Sequence, residues 1–328
     1  MRAIALTLGY ACMLLVLAAC SSEQYPPIAK DKKVAATVNI KDMSLTFIDL
    51  DIMGEAATWD LQKPYTGGMI LPDGDSLLLY GKQLETVDLY SLEKGEKIGE
   101  WPAGTGIVNG RLLSGRKEIA FADQDKDEVR FYDLNGKETG AVKTEADPLT
   151  ILEEKEKGRL FVSSFKQEIM TVIDINQGRK ISSFKIHPSA AGALIREEEG
   201  ELWIGGHGEG AEAEKDIHVY SLETGRLAKT IPAPTMPVGF AELKGSIFAL
   251  SHGSSTLYKM DGGGKEAGSI QVGANPFEML PFGEYLIIAG YDSNDVHLID
   301  PGPLQIIKTI KTGEGPFQII LRGDVGNE

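Results

Sequence analysis

The strongest constraint in this sequence is a short apolar run that stops at a polar residue before a turn and recurs seven times. It appears as Phe47-Ile48-Asp49, Thr86-Val87-Asp88, Phe131-Tyr132-Asp133, Val172-Ile173-Asp174, Val219-Tyr220-Ser221, Leu257-Tyr258-Lys259 and Leu298-Ile299-Asp300. The last residues of these runs are 39, 45, 41, 47, 38 and 41 residues apart. Around the seventh, residues 275–320 divide into four short strand-like stretches and the start of a fifth, split by Gly, Pro, Asn and Asp. That is the pattern of hairpin-linked strands. Four antiparallel strands repeated about every 40 residues mark a β-propeller blade. A helical repeat would need apolar residues at i, i+3, i+4 and i+7, which no window of the mature chain sustains. The expected fold is therefore all-β, a seven-bladed β-propeller with four antiparallel strands per blade.

The two ends sharpen the count. Residues 34–39, 45–50 and 56–61 read as second, third and fourth strands with no first, whereas PFQIIL at 316–321 reads as a first strand with no blade of its own. The C-terminal strand is expected to complete the N-terminal blade and close the ring, which leaves no blade interface open.

Residues 1–20, MRAIALTLGYACMLLVLAAC, carry Arg2, an uninterrupted apolar segment and small residues before Cys20. A basic start followed by a short apolar stretch is a secretory signal. As a membrane anchor the run is near the lower length limit and lacks a basic cluster after it. Leu17-Ala18-Ala19-Cys20 resembles the bacterial lipobox, and that resemblance implies cleavage after residue 19 and lipidation of Cys20. The expected address is the cell envelope, extracytoplasmic and anchored to the membrane through an N-terminal lipid. Of the 2 cysteines, Cys12 would leave with the signal and Cys20 would carry lipid, so the mature domain would have no thiol for a disulfide, a thiolate metal site or a Cys nucleophile. Residues 20–33 read as the lipidated Cys and a polar tether, and 34–328 as one propeller domain, expected to be a monomer.

The chain carries 33 Lys+Arg against 48 Asp+Glu, a net charge of −15. Loss of Arg2 with the signal takes this to about −16. Such an excess disfavours nucleic acid, which needs a basic footprint, and would repel anionic headgroups, so attachment falls to the lipid. It suits an exported, soluble domain, and it would also suit a cationic partner.

The blades differ in regularity. GRLFVSS at 158–164 and GEYLIIAG at 283–290 are similar to the second strand of YVTN-type propeller repeats. Val172-Ile173-Asp174-Ile175 followed by Gly178, and TIKTGEGP at 309–316, resemble their third strand, turn and fourth-strand exit. The resemblance spans 34–321, is close in blades four and seven, and implies a seven-bladed propeller of the broad group that includes surface-layer repeat proteins and lactonase-like proteins. It implies no single activity, because the repeats encode scaffold while function sits in loops.

In a propeller the loops from second to third strands and from fourth to first strands share one rim. The former offer Lys82, Asp123, Ser164, His207, His252 and Asp292, with Tyr291 beside the last. Asp123, His207, His252, Tyr291 and Asp292 are the candidate ligand-binding residues. No cofactor is expected, although two His and two Asp around one mouth could hold a divalent cation. His207 and His252 occupy similar points in adjacent blades, each followed by Gly, which is equally what a polar strand end and its turn look like. Carboxylates at 123, 125 and 127 have calcium-loop spacing, but Glu128 stands where the Gly of such a loop belongs, and a solvated loop fits better. Tyr132, Tyr220 and Tyr258, like Trp59, Trp101 and Trp203, fall in strands and read as packing residues.

No Gly-x-Ser-x-Gly elbow, His-Glu-x-x-His or phosphate loop is present in the sequence. Two readings follow. One is a binding or scaffold protein that holds a protein, peptide or glycan partner at the rim. The other is a lactonase-like or metal-dependent hydrolase, for which Asp123, His207, His252 and Asp292 are the visible acid–base or metal-polarising groups.

Overall fold

The second strand of each blade is a near-continuous apolar run, such as Ser76–Tyr80 (SLLLY) and Tyr285–Gly290 (YLIIAG), and both of its faces are buried. A strand covered on both sides reads this way because successive side chains point to opposite faces. Leu77 and Leu79 enter the cluster shared with blade 1, whereas Leu78 and Tyr80 enter the one shared with blade 3. Seven such clusters exist among the described residues, each straddling two adjacent blades, so the core is a ring rather than a centre.

The computed structural model describes residues 23–209, 212–233 and 235–322, so Cys20 and its signal lie outside the described residues. Seven four-stranded antiparallel sheets are present, with a two-stranded hairpin, Gly208–Glu209 against Glu212–Ala213, inserted in blade 5. Blade 1 runs from outside to centre as Gly54–Asp60, Ser44–Asp49, Val34–Asn39 and Pro316–Arg322. The register Val34↔Arg322 to Val38↔Gln318 joins the two ends of the chain, as the orphan strands required.

The recurring polar residue has a structural cause. Every pairing of third with fourth strand carries a register shift, at Phe47/Ile48, Leu89/Tyr90, Phe131/Tyr132, Val172/Ile173, Val219/Tyr220, Lys259/Met260 and Leu298/Ile299. Such bulges increase twist, which lets neighbouring blades nest. The residue after each shift accepts a turn N–H: Asp133 Oδ1 from Asn135 and Lys137 at 2.9 Å each, and Asp300 Oδ1 from Gly302 at 2.9 Å. Short polar side chains that bond their own turn recur for that reason. This corrects two positions of the sequence ruler. In blade 2 the strand is Thr86–Ser91 and its equivalent residue is Ser91, not Asp88; in blade 6 it is Asp261, not Lys259. The intervals become 42, 42, 41, 47, 40 and 39 from positions 49, 91, 133, 174, 221, 261 and 300, and the one outlier is the inserted hairpin of blade 5.

Residues 24–32 are not a free tether. Tyr25 N donates to Gly95 O and Ile28 N to Leu92 O, both at 2.7 Å, and Gln24 bridges Glu96. Tyr25 stacks on Trp59 at 5.1 Å between centroids, and Trp59 Nε1 donates to Pro26 O at 2.9 Å. The large apolar side chains of this stretch, Tyr25 and Ile28, drive the docking, both packing on the cluster between blades 1 and 2. Gly95 and Leu92 sit in a loop between third and fourth strands, on the face opposite the rim formed by second-to-third loops.

Candidate functional site

The innermost strands surround a channel whose upper half opens into a cavity of about 540 Å³. Two successive positions on six of the seven inner strands build its wall, and Thr66 stands before the strand of blade 2. At the first stand Val108, Leu149, Ala191, Val238, Phe277 and Phe317, which give an apolar ring with its aromatic sector on blades 7 and 1. At the next stand Asn109, Thr150, Gly192, Gly239, Glu278 and Gln318.

These second-position side chains bond the neighbouring blade. Asn109 Nδ2 donates to Leu149 O at 3.0 Å and Thr150 Oγ1 to Ala191 O at 3.2 Å, while Gln318 Oε1 accepts from Gly68 N at 2.6 Å and Glu278 Oε2 from Ile319 N. An inner strand has no partner on its channel side, so its backbone polar groups are satisfied sideways. Gly192 serves differently: a Cβ there would stand 2.0 Å from Val238 O, so only glycine lets blades 5 and 6 approach.

Glu278 is the one ionisable member of this ring. The channel encloses it, and burial pushes its carboxyl up to about 8, opposed by the Ile319 N–H. A raised folded-state value means the native chain holds a proton that the unfolded chain has lost, from about pH 4.3 up to about 8. Its contribution to stability is complete below that window and lost as pH rises through it. Glu278→Gln keeps an acceptor for Ile319, as Gln318 does for Gly68, and cannot ionise. The melting temperature of E278Q minus that of the wild type should therefore grow between about pH 5 and 9, by about 2–4 °C per kcal/mol relieved. Parallel curves in a scanning calorimeter would show that Glu278 does not titrate in the native state.

Of the residues expected from the sequence, His207 lines the cavity. His252 meets it edge-on at 5.4 Å and packs on Phe277 at 4.6 Å, and Phe277 touches Tyr291 at 5.3 Å and Phe317 at 5.4 Å. With Phe165 against His207 at 6.4 Å, these rings form an aromatic arc from blade 4 to blade 1. Desolvation lowers the values of both histidines; His252 lowers that of His207 further, whereas a hydrogen bond with the Pro276 backbone and the charge of Asp292 oppose the shift at His252. Their Nδ1 atoms are buried without a hydrogen-bond partner among the described residues.

The carboxylates of that set are otherwise engaged. Asp123 is fully buried, pairs with Arg130 at 3.0 Å and accepts from Asp125 N and Lys126 N at 3.0 Å each, so it closes its own loop. Asp292 is exposed, pairs with Lys41 at 2.8 Å and accepts from Asn275 Nδ2 at 2.9 Å; Lys41 holds it below its ordinary value and also lies 4.2 Å over the Tyr291 ring. Lys82 Nζ donates to Gln124 Oε1 at 2.7 Å on the opposite wall, and Ser164 Oγ donates to Ala146 O. Among the described residues, the one grouping of His and carboxylate atoms spaced for a metal is elsewhere, at His187, Glu214 and His218. The sequence reading missed it, and missed Glu278 and the aromatic pair Phe277 and Phe317. The available signal for the pair was Pro276-Phe277 and Pro316-Phe317, equivalent strand starts one blade apart.

No protein-family profile matches the chain, and no curated protein does. Solved structures do. A functionally unknown protein from Desulfotomaculum acetoxidans superposes with a TM-score of 0.72 at 10% identity over 88% of this chain and 98% of that one. Hydrazine synthase of Kuenenia stuttgartiensis gives 0.68 at 15% over 78% and 89%. Apo AztD of Citrobacter koseri gives 0.59 at 12% over 88% and 97%. At such identities the likeness is one of fold, and the fold it supports is the seven-bladed propeller described above.

Proposed function

We propose that this chain is a lipid-anchored, extracytoplasmic binding protein that takes a side chain of a protein or peptide partner into the channel mouth. The carrying observation is the cavity itself, with the Phe277 and Phe317 rings at one wall and the Glu278 carboxyl beside them. Aromatic faces and a carboxyl without a cationic partner among the described residues suit a basic side chain, through cation–π attraction and pairing once the acid ionises. The net charge of −15 likewise favours a cationic partner. A lipid on Cys20 would tether the chain just before Gln24 and Tyr25, which dock on the face opposite the mouth, so the cavity would point away from the membrane.

Arrays of synthetic peptides, with and without Lys or Arg, and a glycan array test this with the soluble domain from Ser21. Basic peptides should bind, and Phe277→Ala should weaken them about tenfold, the size of a lost cation–π and packing contact of ~1.4 kcal/mol. Glycans bound in a Phe277-dependent way would keep the mouth but replace the partner class. Binding indifferent to Phe277→Ala would remove the mouth from the proposal.

A further inference from the structure

His187 lies on the connection from Arg179–Lys185, the outer strand of blade 4, to Ala190–Arg196, the inner strand of blade 5. His218 belongs to Asp216–Ser221, the third strand of blade 5. The inserted hairpin of that blade ends at Glu214, whose N–H bonds His207 O at 3.1 Å and whose carbonyl accepts from Met236 N at 2.7 Å. The insertion therefore delivers a carboxylate to a fixed point between two histidines from different segments. Glu214 Oε2 is 2.7 Å from His187 Nδ1 and 3.3 Å from His218 Nε2.

We infer that His187, Glu214 and His218 form a binding site for a divalent first-row transition cation of the zinc type, on the rim beside the channel mouth. The three ligand atoms all lie within 4.8 Å of one another. Nitrogen and oxygen ligands at about 2.0–2.1 Å from a tetrahedral zinc stand about 3.3–3.4 Å apart, so the 3.3 Å between Glu214 and His218 already fits, the 2.7 Å to His187 has to open, and a fourth position is left for solvent or a partner group. The other oxygen of Glu214, Oε1, accepts from Lys215 N and Asp216 N at 2.9 Å each, which fixes the carboxylate as outer-shell bonds fix metal ligands. Glu214 is only 6% exposed, and its ion-pair partners among the described residues are these two histidines, with no Lys or Arg. A buried carboxylate with no permanent cation beside it is a costly arrangement that a bound cation relieves.

In this structure the two rings stack at 4.0 Å with 14° between their planes; Glu214 Oε2 hydrogen-bonds His218 Nε2 at 3.3 Å and stands 2.7 Å from His187 Nδ1, which also lies 3.3 Å from Pro188 O. A metal must lie near the plane of each imidazole it binds, so one ring has to turn. His187 can, because its side chain is 32% exposed on a connection, whereas His218 is held in a strand.

The test is titration of the chelator-treated domain with Co²⁺, followed by its visible d–d bands, and with Zn²⁺ in a calorimeter. One ion per chain is expected, with bands strong enough to indicate tetrahedral coordination. His187→Ala should weaken binding by about tenfold or more, as should Glu214→Gln and His218→Ala. His187→Ala is decisive because His187 is only half-buried and lies on a connection rather than in a strand; a melt without metal checks each variant. The His207→Ala/His252→Ala double variant should bind as the wild type does. Absence of stoichiometric binding overturns the inference. So does binding that survives His187→Ala, or that is lost in the His207/His252 double variant instead. Failure here leaves the peptide-binding mouth untouched, since the two sites share no ligand residue.

Discussion

Removing the last strand, by ending the soluble domain at Gly315, is expected to abolish cooperative unfolding altogether. Pro316–Arg322 is the innermost strand of blade 1, paired to Val34–Asn39 from the other end of the chain. Its side chains serve two interfaces at once: Ile319 is buried in the cluster between blades 7 and 1, and Ile320 in the one between blades 1 and 2. Loss of the strand opens both, exposes the edge of Val34–Asn39 and removes the Gln318 and Glu278 bonds that seal the channel on that side. Each buried Ile contributes ~1.5–3 kcal/mol, against a total stability of about 5–15 kcal/mol, and the newly exposed edge invites aggregation. Circular dichroism during heating should show a broad, featureless decline in place of a sigmoidal transition. A circular permutant supplies the control. Joining Arg322 to Val34 through a short turn, and opening the chain between the third and fourth strands of blade 7, keeps all four strands of blade 1. It should melt cooperatively. A truncated chain that also melts cooperatively would mean the ring does not depend on its closure.

The second large effect is expected at Trp59. This residue is fully buried and in contact with Phe47 at 4.7 Å, Tyr25 at 5.1 Å and Tyr90 at 6.0 Å between ring centroids. Trp59→Ala leaves a cavity between blades 1 and 2 and should cost about 3–5 kcal/mol, read as a lowered urea midpoint at unchanged slope. Because Trp59 also holds Tyr25 by stacking and Pro26 by its Nε1, the same variant should release residues 24–32 from the lower face. Trypsin would then cut at Lys30, Lys32 or Lys33 under conditions where the wild type resists. Trp59→Phe keeps much of the packing but leaves the Pro26 carbonyl without its donor, a loss of ~1 kcal/mol. Equal proteolysis of wild type and W59A would show that the segment is not held by this residue.

The link between the two expectations is that the propeller has no single centre. Its apolar contacts are divided among seven interfaces, and each interface is completed by strands from neighbouring blades. Damage at one interface is therefore local until the ring itself is cut.

Reading the chain by itself determined the repeat, the blade count and the closure, because these depend on local physics. A strand buried on both faces must be apolar throughout, a third strand must end on a residue able to cap its turn, and an unpaired fragment at each end must find the other. The same local reading misplaced the ruler in blade 2, where Thr86-Val87-Asp88 begins a strand that runs on to Ser91. It also read residues 20–33 as a polar tether and gave no sign that the part from Gln24 on packs against the ring, since a few apolar side chains in a polar stretch say little until Trp59 is known to await one of them.

The rim residues were legible one by one, as polar positions at strand ends, but not in their relations. Asp123 and Asp292 look alike in sequence, yet one is locked to Arg130 inside its loop and the other is exposed and paired with Lys41. Only the ring sets Glu278 in line with Asn109, Thr150 and Gln318, because register between blades is fixed by packing across chain separations of about 40 residues. His187 and His218 stand 31 positions apart in sequence, and Glu214 reaches both only after the blade 5 hairpin has folded back. Periodicity lies within one blade, where neighbours along the chain are neighbours in space. Sites lie between blades, where they are not.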